Sequence, residues 1–273
     1  SPFKDPEDVW AFDPAAEYGL PDMDEQVAAY EKAFQDTKAA FPDQLSTGGY
    51  YKSTVSGAIA AFGWDMLLMA CADRDKMSEV FIRFREFTQH HMNAWAQTSA
   101  EVIIQHDDFV WTEGAFMHPD IYREVIIPGF AELWKPLKAA GKTIIFCSDG
   151  NFMEFAEDIA KAGADLILQH HPHVPQGIEM VDGCLIAYSL GNFLFNAHSS
   201  AYMKSNGPHT ADSYLLLVEL DASGVQGFER IPCRIPEPPE QRPTPLTGQA
   251  AQDFLAYCAT LDGYLGNEEL VKA

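Results

Sequence analysis

The chain has 273 residues, 47% of them hydrophobic and 21% charged, with a formal net charge of −22; this composition fits a packed globular protein and excludes a disordered one. Charge of that sign repels phosphates and acidic headgroups, which excludes non-specific binding to nucleic acid or anionic membrane and favours cations, metals or basic partners. Length alone leaves one large domain or two modest ones open, because single cores stop growing at roughly 250–300 residues.

Up to residue 165 the pattern is helix-rich. Residues 24–41 and 75–98 carry apolar side chains at helical spacing, with Val80, Phe81, Phe84 and Phe87 on one stripe. Between them GGYYKSTVSGAIAAFGWD, with its glycines and Ser/Thr cluster, reads as a turn leading into short helices. Strand and helix then alternate: strand 101–105, helix 119–139, strand 143–147, helix 152–162 and strand 166–169. This order predicts parallel strands whose carboxyl ends carry the ligand sites, and both His106-Asp107-Asp108 and the turn from Cys147 to Asn151 fall at such ends.

Beyond residue 169 strands and turns dominate. Asp182-Gly183 between 177–181 and 184–190 is a hairpin signal, since the glycine accepts the positive φ such turns need. Segments 214–220 and 225–235 predict a second hairpin around Ala222-Ser223-Gly224, followed by the proline-rich stretch PEPPEQRPTPLTG and a terminal helix over 249–261.

The five cysteines, Cys71, Cys147, Cys184, Cys233 and Cys258, are odd in number and show no CxxC spacing, as expected of reduced thiols in a reducing compartment. No apolar run approaches the roughly 20 residues of a membrane helix, and SPFKDPEDVW has no signal-peptide core. These features predict a soluble, cytoplasmic chain without membrane or nucleic-acid partners.

The stretch from QHDDFVWTEGAF to AKAGAD, with PFKDPEDVWAFDPAAEYG upstream, resembles the uroporphyrinogen decarboxylase superfamily, which includes corrinoid and coenzyme M methyltransferases. The resemblance covers residues 1–165 and implies part of a TIM barrel acting as a methyltransferase or decarboxylase on a small anionic or methylated substrate. Cys147 and Asp149 occupy what look like the family's zinc-binding positions, although the usual histidine is a cysteine here and the usual cysteine an aspartate. Asp107, Asp108 and Asp149 are the candidate catalytic carboxylates; Asp107 and Asp108 could orient a substrate or ligate a cation, or equally cap a helix from a solvated loop. The family's N-terminal segment with its arginine and catalytic aspartate is absent, which removes the ground for porphyrin decarboxylation.

A second stretch, GADLILQHHPHVPQGIEMVDGCLIAYSLGNFLF, resembles the capsule-synthesis (poly-γ-glutamate-synthesis) proteins, a calcineurin-like metallophosphatase family, over residues 163–236. By position His170 and His173 would be metal residues, with His171 their neighbour and zinc or manganese the metal. Here Gln169 replaces the glycine that normally precedes the first histidine, and the family's upstream aspartate, asparagine and histidine ligands are not found. Asn192 could shape the same pocket or form a turn.

The expected fold is therefore α/β: partial TIM-barrel-like βα units continuing into a mixed sheet with antiparallel C-terminal hairpins, divided as 1–165, 166–236 and 237–273. Three functions stand open: a decarboxylase/methyltransferase-type enzyme, a metallophosphatase-like capsule-synthesis protein, and a non-catalytic fusion or recombined product. An incomplete barrel leaves a sheet edge that must be paired, covered or blunted, and a homodimer is one way to do so.

Overall fold

A computed structural model describes residues 2–194, 201–205, 207–221 and 224–267. The fold is mixed α/β and divides into two units, Ser1–Ala164 and Asp165–Ala273.

The first unit opens with helices α1 (Pro6–Trp10), α2 (Pro14–Tyr18) and α3 (Met23–Ala40), each started by an aspartate that accepts from amides of its first turn. Strand β1 (Gly48–Tyr51) follows, then α4 (Val55–Phe62), α5 (Trp64–Ala70) and the long α6 (Arg74–Ala96). Strand β2 (Val102–His106) leads to α7 (Pro119–Ile121), which runs through a π-helical stretch, Tyr122–Ile126, into α8 (Ile127–Ala139). Strand β3 (Thr143–Ser148) and α9 (Ala156–Ala162), entered by a 3₁₀ turn at Met153–Phe155, complete the unit. The strands lie in the order β1-β2-β3, all parallel.

On α6 the residues Met77, Val80, Phe81, Phe84, Thr88, His91, Met92 and Trp95 are buried, a stripe at three- and four-residue spacing that makes the helix the spine of this unit. Beneath the strand ends, Phe109, Tyr122, Phe130, Phe146, Phe152 and Phe155 pack ring against ring. Lys142 is buried and donates to the carbonyls of Thr98 (2.7 Å) and Ala100 (2.6 Å), satisfying acceptors left open beyond the end of α6.

One segment departs from the expected turn. Gly48–Tyr51 forms a strand paired in register with Ile103–His106. Its glycines serve close approach: a Cβ on Gly48 would lie 2.6 Å from the Trp95 ring and 2.7 Å from Ile103 Cδ1. Only a residue without a side chain lets β1 lie against β2 beneath α6.

In the second unit β4 (Leu166–Gln169) pairs parallel with β6 (Cys184–Ala187), and β6 pairs antiparallel with β5 (Ile178–Val181) across the expected Asp182-Gly183 turn, where φ is 49° and 85°. After α10 (Ala201–Ser205), β7 (Asp212–Asp221) and β8 (Gly224–Arg234) form the second hairpin; Ala222 and Ser223 of its expected turn lie outside the described residues. A short β9 (Thr244–Pro245) within the proline-rich stretch pairs with β8. Helix α11 (Gly248–Tyr264) is fastened to the strands by Asp262, which accepts from the Ile178 amide (2.7 Å) and from both terminal nitrogens of Arg230 (2.6 and 2.8 Å). Residues 237–267 are thereby tied into the second unit rather than trailing from it. All five cysteines are free thiols, and among the described residues no helix is long and apolar enough to cross a membrane.

Candidate functional site

The expected site residues fall into one cluster in each unit. In the first unit the parallel register sets Tyr51, His106 and Cys147 side by side at the carboxyl ends of β1, β2 and β3. Past the end of β2 the alternation of side chains continues, so His106 and Asp108 stay partly exposed while Asp107 turns inward.

Asp107 is fully buried and accepts from Ser53 Oγ (2.9 Å), Ser56 Oγ (2.6 Å) and the amides of Thr54 (2.9 Å), Val55 (3.2 Å) and Ser56 (2.7 Å). This is a helix cap delivered from a distant strand, because α4 has no side-chain cap from its own Thr54. Burial pushes the Asp107 carboxyl up, and the five donors pull against that. Gln105, also buried, extends the network, donating to Ser53 Oγ (2.9 Å) and accepting from Trp134 Nε1 (2.6 Å). The geometry of Asp107 is that of a structural anchor.

Asp108 is the hub of the exposed cluster. Its Oδ1 meets His106 Nε2 at 2.7 Å and accepts from the Asp149 amide at 2.8 Å, while Tyr51 Oη is 3.5 Å from Oδ2. Burial raises its carboxyl, but the hydrogen bonds from His106, the Asp149 amide and Tyr51 outweigh it, so Asp108 titrates below its ordinary value. A carboxylate holding an imidazole is an arrangement that can orient a general base. Cys147 differs: burial, then the charges of Asp108 and Asp149, push its thiol up to about 11. It is a neutral thiol at physiological pH, the opposite of what a poised thiolate ligand requires. Asp149 is exposed and touches Asp108 through its backbone amide. Tyr51, which went unnoticed in the sequence, joins through its ring, 4.3 Å from that of His106.

In the second unit the loop after β4 carries His170, His171 and His173, with φ of 111° at His171 and 57° at His173, a region non-glycine residues avoid. What fixes the loop is Asn192. This buried side chain donates from Nδ2 to the carbonyls of His173 (3.0 Å) and Thr210 (2.9 Å), and its Oδ1 lies 2.7 Å from His173 Nδ1. Because Nδ2 is committed to two carbonyls, Oδ1 must be the acceptor and His173 the donor, so the neutral ring carries its proton on Nδ1. Gly191 makes the approach feasible: its φ is 80°, and a Cβ there would fall 2.4 Å from the Asp212 carbonyl. A second imidazole–carboxylate pair adjoins, His209 Nδ1 being 2.9 Å from Asp212 Oδ2, with Arg234 Nε on Oδ1 at 2.5 Å; nothing in the sequence had marked it.

The expectation of zinc or manganese at His170, His173 and Cys147 meets these residues in two separate places, Cys147 in the first unit and the histidines in the second. Among the described residues no group of three or more His, Cys, Asp or Glu side chains is placed to hold a metal ion. His170 is exposed and His173 is oriented by Asn192.

Comparison with known proteins bears on the same loops. The family described as "Bacterial capsule synthesis protein PGA_cap" matches residues 140–197. The "PGA biosynthesis protein CapA" of Bacillus subtilis (strain 168) is 39% identical over 84 residues, covering 31% of this chain and 20% of that protein. The "Capsule biosynthesis protein CapA" of Bacillus anthracis is 35% identical over 92 residues, covering 34% of this chain and 20% of that protein. The chain thus spans about a fifth of the length of the curated relatives it matches. The family match also reaches upstream of residue 163 and takes in Cys147–Asn151, the turn ascribed above to the decarboxylase-type likeness. No finding carries that likeness, nor a chimera of two families; the capsule-synthesis likeness is the one supported.

Proposed function

We propose that this chain acts in capsule synthesis as a CapA-like protein, with the Asn192-centred loops of its second unit as the working face. One observation carries the reading: the two motifs within the matched segment, HHPH and SLGN, are bound to each other by the reciprocal hydrogen bonds of His173 and Asn192. A buried amide that spends its donors on two separate loops sets the direction of the His173 ring, as a site residue requires and an ordinary turn does not.

The role proposed for the loops is recognition of the growing capsular polymer or its precursor, with His173 held in one orientation and its proton on Nδ1. Expressing the chain in a capsule-forming Bacillus deprived of its own CapA tests this. Restored capsular polymer, lost again with Asn192→Ala in protein that remains folded, is the expected result. No polymer from the wild-type chain would overturn the proposal.

A further inference from the structure

Two tryptophans of the first unit are held in place and left open. Trp64 begins α5 and is 41% exposed; Trp111 lies in the loop after β2 and is 51% exposed. Hydrogen bonds fix the Trp111 loop: Trp111 and Gly114 exchange two backbone bonds of 2.7 and 3.1 Å, the Trp111 carbonyl also accepts from the Asn151 amide at 2.9 Å, and the Phe116 amide donates to Tyr122 Oη at 3.2 Å. Gly150 permits the approach of the Asn151 turn, since a Cβ there would fall 2.9 Å from the carbonyl oxygens of Val110 and Trp111. On this frame the Trp64 ring lies 5.6 Å from that of Trp111 at 51° and 5.1 Å from that of Phe116 at 75°, so no ring lies flat on another. Half-open indoles forfeit much of the stabilisation that burial brings, whereas a fixed loop keeps them ready for a ligand.

The charge beside these rings has one sign. Asp65 follows Trp64, and Glu113 lies in the turn that Trp111 and Gly114 close; both are exposed, and among the described residues neither pairs with a basic side chain. Asp108 stands three residues before Trp111, within about 11 Å along the chain, and Asp149 belongs to the turn whose Asn151 amide binds the Trp111 carbonyl. Elsewhere in the same unit an indole face has drawn a cation from the chain itself, Lys76 Nζ standing 3.8 Å over the Trp10 ring. Among the described residues no lysine or arginine stands over Trp64 or Trp111.

We propose that Trp64, Trp111 and Phe116 form a binding corner for a small quaternary ammonium ion, with Asp65 and Glu113 as its counter-charges. Two independent features select that ligand: the negative faces of the aromatic rings, and carboxylates that lack a cation of their own. Hydration decides between cations. A metal ion or a primary ammonium is strongly hydrated, and aromatic faces do not replace the water it would give up. The methyl groups of a quaternary ammonium spread its charge over apolar surface, which the rings cover with gain on both counts. Phosphate- or carboxylate-bearing ligands meet repulsion from the same side chains in a chain whose net charge is −22.

Titration of the full chain with choline chloride at constant ionic strength, followed by saturation-transfer NMR on the ligand methyl protons, tests this against 3,3-dimethylbutan-1-ol, which has the same shape without the charge. Choline is expected to saturate below about 50 mM and the neutral alcohol to bind at least about fivefold more weakly. Trp111→Leu, which keeps apolar surface but removes the ring, should weaken choline about fivefold with an unchanged circular dichroism spectrum. The double variant Asp65→Asn/Glu113→Gln removes no ion pair of the fold among the described residues and should weaken choline by a similar factor while leaving the alcohol unaffected. Choline that fails to saturate overturns the proposal. Equal affinity for choline and the alcohol also overturns it, by reducing the corner to an apolar patch, as does choline affinity unchanged in the double variant, which would place the cation elsewhere.

Discussion

His173 and Asn192, 19 residues apart in sequence, hold each other from both sides: Nδ1 of the histidine lies 2.7 Å from Oδ1 of the asparagine, whose Nδ2 lies 3.0 Å from the histidine carbonyl. A third contact, Nδ2 to the Thr210 carbonyl at 2.9 Å, brings in the segment leading to β7. Through this amide the histidine loop, with positive φ at two non-glycine residues, is tied to the segments of Asn192 and Thr210.

Asn192→Ala should therefore cost about 2–4 kcal/mol, because one buried carbonyl, of Thr210, and one half-buried carbonyl, of His173, lose their donor. The effect should appear as a lower urea midpoint. Asn192→Asp should be no better, because a carboxylate accepts from His173 but cannot donate to either carbonyl. A midpoint within error of wild type for either variant would contradict the role given to this residue.

Asp107 and Asp108 are adjacent and of one type, yet their variants should part. Asp107→Ala strips five donors of their acceptor, three of them amides at the head of α4, and should cost roughly 3–5 kcal/mol, the range seen when one member of a buried charged network is removed. Asp108→Asn keeps the shape of an exposed cluster and should change stability by less than about 1 kcal/mol. Thermal melts of the two proteins decide the matter, and equal losses would remove the distinction between anchor and site.

That distinction marks the limit of what the residues alone disclosed. The stripe on α6, the alternation of strand and helix, strand 166–169 and the Asp182-Gly183 hairpin were legible because each rests on local periodicity or turn chemistry. Strand β1 was not, since glycines normally signal turns and the reasons for these two are distant in sequence: the Trp95 ring packed against Gly48 and the Ile104 carbonyl of β2 against Gly49. In His106-Asp107-Asp108 the composition pointed to a site, but only the strand's pleat decided which carboxylate turned inward. His209 and Asp212 look unremarkable in sequence, and their pairing depends on how the chain enters β7.

Cys147 offers a check on the electrostatics of the first-unit cluster. With its thiol pushed up to about 11 by burial and by the charges of Asp108 and Asp149, alkylation at neutral pH should be far slower than for an exposed cysteine. Asp108→Asn removes one of those charges and should speed the reaction severalfold. Peptide mass spectrometry after timed iodoacetamide treatment resolves Cys147 from the other four thiols, and a rate indifferent to residue 108 would dismiss the coupling.

Acid should unfold the first unit through His91. The imidazole is 9% exposed on α6, its Nδ1 is 2.7 Å from Tyr30 Oη on α3, and its ring stacks on Tyr50 of β1 at 4.5 Å, with His90 and Phe87 beside it on its own helix. Burial, reinforced by His90, holds its pKa at about 4, against 6.5 for an ordinary histidine. The unfolded chain therefore binds the proton first: above pH 6.5 the neutral ring costs nothing, and between pH 6.5 and 4 stability falls as the unfolded state gains protons the folded state refuses. The full loss, reached below pH 4, is roughly 3 kcal/mol, because each pH interval of one between the unfolded and folded pKa is worth about 1.36 kcal/mol. Urea unfolding at pH 7 and at pH 4.5 measures it directly. His91→Gln, which keeps a polar group near Tyr30 but does not titrate, should flatten the fall over this window, and an undiminished slope in that variant would move the acid sensitivity to another group.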